Sequence, residues 1–171
     1  ANREEHFAIL VGKGNAQTPP LVRLHSQCVT GDVLGSLKCD CGPQLQAALM
    51  QMQEAGSGIL LYLAQEGRDI GLLNKIRAYA LQDAGLDTVD ANHRLGFETD
   101  ERVFSPAAAM LKALGVSTIK LMTNNPDKIK QLGKYGIKIK QSIGLSLPTN
   151  PHKHEYMKTK KERTGHMIDP D

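Results

Sequence analysis

The sequence predicts an α/β fold: a mixed sheet flanked by helices, in a single compact domain. Two patterns and one ratio carry the prediction. Strand-length apolar runs alternate with stretches whose apolar residues recur at helical spacing, and Gly and Pro punctuate the boundaries between them. The 171 residues correspond to one domain at roughly 150 residues each. With 40% hydrophobic and 23% charged residues, such a chain can bury a sizeable core.

The elements follow in order. Residues 7–11 (FAILV) and 20–25 (PLVRLH) read as two early strands, separated by Gly12-Lys13-Gly14-Asn15 and the pair Pro19-Pro20. An amphipathic helix is expected over 43–55, with Pro43 at its first position, Leu45, Ala48, Leu49 and Met52 as its apolar stripe, and Gly56 just past its end. Residues 58–63 (GILLYL) form a buried strand. A helix resumes over 71–84 through Leu72, Leu73, Ile76 and Ala80 and closes at Gly85. From Asp87 to Phe104 no clean period appears, so a long functional loop with one short strand is expected. Ser105 is expected to cap a helix with Pro106 in its first turn and Gly115 at its end. Residues 116–122 form a strand, Asn125-Pro126 opens another helix, and 137–141 is the last strand. The domain is placed at 1–147. Residues 148–171, with Lys153, Lys158, Lys160, Lys161 and Arg163 among four acidic residues, read as a basic tail, mobile or packed on a partner. There is no internal repeat.

Composition narrows the function. Lys plus Arg exceed Asp plus Glu by 21 to 18, a net charge of +3 that is too small for a nucleic-acid coat or a membrane-surface protein. Three Phe, four Tyr and no Trp leave little for a base-stacking platform. No apolar run approaches a membrane span, and the start lacks a signal-peptide pattern, so a cytoplasmic protein is expected. The three cysteines all fall between positions 28 and 41, a layout suited to a local task rather than a disulfide framework.

That cysteine cluster is the strongest chemical signal. In an extended segment the side chains of Cys39 and Cys41 point the same way, and a turn through Gly31 and Gly35 can return Cys28 to them. Three soft ligands favour zinc. The fourth position can be a water, as in catalytic sites, or His25, closing a structural Cys₃His site; free buried cysteines are the third reading. Two further groups stand where α/β folds bind ligands, beyond strand ends: Gln65-Glu66-Gly67-Arg68-Asp69-Ile70-Gly71, and Thr123-Asn124-Asn125-Pro126-Asp127-Lys128. Each also reads as an ordinary turn or cap. Asp100-Glu101-Arg102 sets an acceptor two residues from a fixed cation, fit for proton transfer beside a phosphoryl group or merely a surface ion pair. Arg23, Arg68, Arg102 and Lys128 can gather around a polyphosphate. A zinc site beside a phosphate cluster suggests hydrolysis of a nucleotide.

The strings RLHSQCVTGDVLGSLKCDCG, LAQEGRDIGLLNKIRAYALQD, DTVDANHRLGF, DERVF and LMTNNPDK, in unbroken order, closely resemble GTP cyclohydrolase II, the enzyme that opens riboflavin biosynthesis. The resemblance implies conversion of GTP, with one Zn²⁺ per chain and with Mg²⁺ on the triphosphate, to a 2,5-diaminopyrimidinone ribosylamine phosphate, releasing formate and pyrophosphate. It implies Cys28, Cys39 and Cys41 as zinc ligands with water in the fourth place. Arg23, Leu24, His25, Ser26, Gln27, Gln44, Glu66, Gly67, Arg68, Thr88, Thr123 and Lys128 match GTP-binding positions. Tyr79 matches a tyrosine beside the zinc, or it is a core aromatic. Asp100 and Arg102 match the family's proton acceptor and nucleophile, although a guanidinium is almost never deprotonated and Arg102 suits electrostatic stabilisation equally. Gln27 departs from the glutamate commoner at its place. The resemblance also implies a homodimer, and in some organisms the domain is the C-terminal half of a fusion with dihydroxybutanone phosphate synthase. A relative that only opens the ring, and a zinc-stabilised nucleotide-binding domain without turnover, are the competing functions.

Overall fold

The computed structural model of the protein describes residues 5–12, 19–145 and 147, so the tail expected at 148–171 lies outside the described residues. Five strands form one mixed sheet: β1 (Phe7–Gly12), β2 (Leu21–Ser26), β3 (Ser57–Leu63), β4 (Thr118–Met122) and β5 (Lys138–Ile143). The spatial order is β1-β3-β2-β4-β5, with β1 antiparallel to β3 and the other neighbours parallel. The helices are α1 (Val29–Asp32), α2 (Cys41–Glu54), α3 (Gly71–Asp83), α4 (Thr88–Arg94), α5 (Ser105–Ala113) and α6 (Pro126–Lys134).

Alternation along β2 explains why the sheet needs cover on both faces. Val22 and Leu24 pack with Leu61, Leu63, Ile119 and Leu121 against Ala107, Ala108 and Leu111 of α5 and Leu132 of α6. Leu21 and Leu60 point the other way, onto Ala48 and Met52 of α2. The stripe expected on α2 is therefore the face that is buried, although the helix begins at Cys41 and Pro43 is its third residue.

Chain order opens a crevice at one end of the sheet. From β2 the chain moves to β3 on one side; after β3 it crosses to β4 on the other and continues outward to β5. Loops leaving β2 and β4 therefore diverge, the arrangement in which open α/β sheets bind ligands. The ladder between these strands is short, pairing Leu21 with Lys120 and Val22 with Leu121. Beyond it, side chains take the place of backbone amides. Arg23 Nη1 donates to the Met122 carbonyl at 3.0 Å, and Lys128 Nζ donates to the Leu24 carbonyl at 2.8 Å.

Three expectations are corrected. The stretch from Asp87 to Phe104 holds a helix, α4, and no strand: Asp87 caps it by accepting from Val89 N at 2.8 Å and Asp90 N at 2.9 Å, and Gly96 follows its end at φ 84°. Ser105 is the first residue of α5 rather than its cap, which falls on Phe104 without a side-chain bond. In α3 the periodic apolar residues face outward: Leu72, Leu73 and Ile76 are exposed, and the buried side carries Lys75 and Ala78.

Candidate metal centre and substrate pocket

The three cysteines converge by a different route from an extended hairpin. Cys28 ends the segment after β2 and precedes the single turn of α1, Cys39 lies in the turn before α2, and Cys41 is the first residue of α2. Their sulfurs lie within 4.8 Å of one another, with Cys28 Sγ 3.6 Å from Cys39 Sγ. Tetrahedral ligands about 2.3 Å from zinc stand roughly 3.8 Å apart, so this spacing fits. Ionisation points the same way. Hydrogen bonds from the Cys39 and Cys41 thiols and from the Lys75 ammonium hold the Cys28 thiol far below its ordinary range, while Cys39 and Cys41 are pushed up beside it. Three adjacent thiolates repel one another, and a divalent cation removes that conflict.

Gly31 shapes the cradle. A Cβ there would stand 2.6 Å from Cys39 Sγ and 3.1 Å from Cys28 Sγ. Gly31→Ala is expected to lower zinc affinity by about 10–100-fold while the far-ultraviolet circular dichroism stays native, read by chelator competition. No histidine, aspartate or glutamate among the described residues joins the trio. His25 Nε2 is instead engaged by the Asp32 carboxylate at 2.9 and 3.0 Å, so this geometry does not support a closed Cys₃His site. Asp32 also accepts from the Cys28 amide at 3.0 Å and from the Tyr62 hydroxyl at 2.8 Å, tying the first cysteine to the sheet.

The trio opens into a cavity of about 150 Å³ at the carboxyl ends of β2, β3 and β4. From the β2 side Arg23, His25, Ser26 and Gln27 line it, with Gln44 from α2. Glu66, Gly67 and Arg68 enter from the loop after β3, and Tyr79 and Thr88 from α3 and α4. Thr123 and Lys128 close the β4 side. Of the residues matched to the family's site, two do not line it. The Leu24 side chain is fully buried in the core and offers only its carbonyl, to Lys128; Asp100 stands behind Arg102.

Cationic side chains are concentrated in the cavity. Arg23, Arg68, Lys75, Arg102 and Lys128 line it, against the single carboxylate of Glu66. Arg23 is buried; desolvation pulls its guanidinium down to about 10, which leaves it a cation at neutral pH. Its Nη2 donates to Gln44 Oε1 at 2.5 Å, and its Nε is a buried donor without a hydrogen-bond partner. Arg68 and Asp69 are left-handed, with φ 61° and 78°, following Gly67 at 64°. Non-glycine residues in that region cost of order 1 kcal/mol or more each and gather at functional sites. Here the strained turn aims Arg68 at the long loop, where Nη1 donates to the Thr99 carbonyl at 2.9 Å.

Arg102 is held from two sides. Its Nε donates to Asp100 Oδ1 at 2.7 Å and its Nη2 to Asp100 Oδ2, while Nη1 donates to Ser26 Oγ at 3.3 Å. Burial alone would raise the Asp100 carboxyl, but the Arg102 hydrogen bonds and charge overcome it and hold Asp100 below the usual carboxylate range. The Phe104 ring lies beside two cations, 5.5 Å from Arg102 and 5.5 Å from Lys128.

Several lining residues escaped the sequence reading as site residues: Gln65, Lys75, Asn92, Asn124 and Asn125. Gln65 and Asn125 sit inside strand-end motifs, and Asn125 also caps α6 through the Asp127 amide at 2.9 Å. Asn92 required seeing α4. Lys75 has no local signal, because one lysine in an amphipathic helix reads as surface.

A mixed α/β sheet that gathers a cysteine trio able to hold a metal and a cluster of cations at its strand ends presents a candidate catalytic crevice of the α/β class. A family model described as GTP cyclohydrolase II matches residues 1–144. The chain is 56% identical over 164 residues to GTP cyclohydrolase-2 of Azospirillum brasilense, which covers 96% of this chain and 43% of that protein. It is 54% identical over 168 residues to GTP cyclohydrolase-2 of Escherichia coli, which covers 98% of this chain and 86% of that protein. The chain belongs to the GTP cyclohydrolase II family, a family of hydrolases.

Proposed function

We propose that the protein is a zinc-dependent GTP cyclohydrolase II. It opens the imidazole ring of GTP, releases formate and pyrophosphate, and leaves 2,5-diamino-6-hydroxy-4-(5-phosphoribosylamino)pyrimidine, the first step of riboflavin biosynthesis. The observation that carries the reading is the opening of the cysteine trio directly into a cation-lined cavity, in a chain of this family.

Cys28, Cys39 and Cys41 would hold Zn²⁺, which supplies Lewis acidity for hydration of guanine C8. The remaining work falls to the chain itself. Arg23, Arg68 and Lys128 draw the triphosphate, with its Mg²⁺, into the crevice. Glu66 and Gln44, which border the cavity, are assigned to the guanine edge. Tyr79, half-buried and bordering the cavity, has its hydroxyl pushed up by desolvation and so remains a neutral donor suited to positioning water for deformylation. Asp100, ionised and paired, is a poor proton acceptor and serves to aim Arg102 at the α-phosphate, whose developing charge the guanidinium stabilises while pyrophosphate leaves.

Incubation with GTP and Mg²⁺, following metal content, formate, pyrophosphate and product mass, tests the reading. One zinc per chain with equimolar formate and pyrophosphate is the expected result. GTP binding without either product overturns it.

The reading includes a homodimer. The outward apolar face of α3, Leu72, Leu73 and Ile76, supports it, being an apolar surface that a second copy can cover. Leu73→Lys is expected to shift the protein to monomer in sedimentation velocity, whereas an unchanged dimer excludes this face. A cytoplasmic location belongs to the same reading, and no helix among the described residues is long and apolar enough to cross a membrane. So does a fusion behind dihydroxybutanone phosphate synthase; the Azospirillum relative, of which 43% is covered, is long enough to hold such a second domain.

A further inference from the structure

Lys75 is a buried cation to which the proposed reaction assigns nothing. It occupies the side of α3 that packs inward, in a helix whose apolar residues face out, so burial of this lysine cannot be a by-product of hydrophobic packing. A buried ammonium is tolerated only where partners replace its water. Two do. Lys75 Nζ donates to Cys28 Sγ at 3.0 Å and to Glu66 Oε1 at 2.8 Å.

The carboxylate is itself fixed. Glu66 Oε2 accepts from the Val29 amide at 2.7 Å and Oε1 from the Gly67 amide at 3.0 Å. Lys75 and Glu66 thus join the residue after Cys28, the thiol of Cys28 and the left-handed turn at Gly67 into one unit. Gly67 completes the fit: a Cβ there would stand 3.1 Å from Lys75 Cβ at a backbone φ of 64°.

Charge explains the need. Three thiolates on a divalent cation leave a net charge of minus one, and Glu66 beside them adds another. The Lys75 ammonium is the cation that touches both groups. We infer that Lys75 is a positioning residue of the metal centre: it fixes the Cys28 thiolate, balances the excess negative charge of a tris-thiolate metal site, and is itself aimed by Glu66. The inference rests on the metal reading proposed above.

Zn²⁺ affinity of the full chain, measured by competition with a chromophoric chelator, tests it without reference to turnover. Lys75→Leu is expected to bind Zn²⁺ about 10–100-fold more weakly, the usual consequence of removing an outer partner of a ligand. With Co²⁺ in place of Zn²⁺, its thiolate-to-metal charge-transfer band is expected to move to longer wavelength, because the sulfur loses a stabilising donor. Lys75→Arg is expected to recover part of the affinity.

Lys75→Leu leaves the largely buried Glu66 carboxylate without its ammonium partner, so the double variant Lys75→Leu/Glu66→Gln provides a second test that avoids that burden on folding. If Lys75 acts through Cys28, the double variant stays weak; recovery of native affinity shows that Lys75 merely neutralises Glu66 and overturns the inference. Native affinity and an unmoved band in Lys75→Leu overturn it also. Wild-type protein that takes up neither metal overturns the metal reading itself, an outcome distinct from wild type and Lys75→Leu binding equally well.

Discussion

Cys39→Ser is expected to strip the metal and abolish turnover in the same step. Cys39 is buried, its sulfur lies 3.6 Å from that of Cys28, and among the described residues no His, Asp or Glu joins the set of three to which it belongs. A hydroxyl is a hard, weakly acidic ligand that does not replace a thiolate on zinc. Loss of one of three ligands should therefore exceed the roughly 10–100-fold affinity loss that follows removal of an outer partner. Metal content by atomic absorption should fall from one per chain towards zero, and formate release should fall in parallel. GTP binding should persist, because the cations assigned to the triphosphate under the proposed function lie on other segments. A metal-free variant that still releases formate at the native rate refutes zinc dependence.

Arg102→Ala is expected to slow pyrophosphate release by about 10³-fold or more, the usual scale for removing an arginine that meets a transferring phosphoryl group. GTP affinity should change far less, since Arg23, Arg68 and Lys128 remain in the cavity. The geometry also separates the two roles open to Arg102. Asp100 takes two of its donors and stays ionised, which stabilises the protonated guanidinium that a nucleophile would have to relinquish. Arg102→Lys keeps the charge but loses the two-pronged fork, so it should restore only part of the rate. A covalent nucleotidyl adduct on Arg102, trapped and seen by intact-mass measurement, contradicts the electrostatic role. Asp100, with its carboxyl held below the usual range, stabilises the folded protein above the ordinary carboxylate pKa. That contribution fades as pH falls through the lowered value, so the Asp100–Arg102 pair should be intact across the neutral range.

The sheet was legible because buried parallel strands announce themselves as continuous apolar runs: GILLYL could hardly be anything else. The cysteine trio was legible from spacing, although its geometry was not. Cys41 arrives through the first turn of α2, an outcome that depends on where the helix starts. The helix α4 was missed although Asp87 and Gly96 mark its ends, because its inward face includes Asn92, a polar residue that breaks the apolar period. In α3 the period identified a real face but not its surroundings: Leu72, Leu73 and Ile76 face outward, while Lys75 sits against Cys28 and Glu66. Periodicity reports which residues share a side. It says nothing of a partner tens of residues away in the chain.

The short pairing of β2 with β4 has a thermodynamic consequence. Past Val22 and Leu121 the two strands are stitched by Arg23 and Lys128, which reach across to carbonyls that a continuous ladder would have satisfied. The cysteine trio belongs to one side of this seam and Thr123 with Lys128 to the other. On the proposed function a nucleotide in the crevice meets the two cations that stitch this seam, so GTP is expected to raise the Tm of the whole domain rather than order the crevice alone.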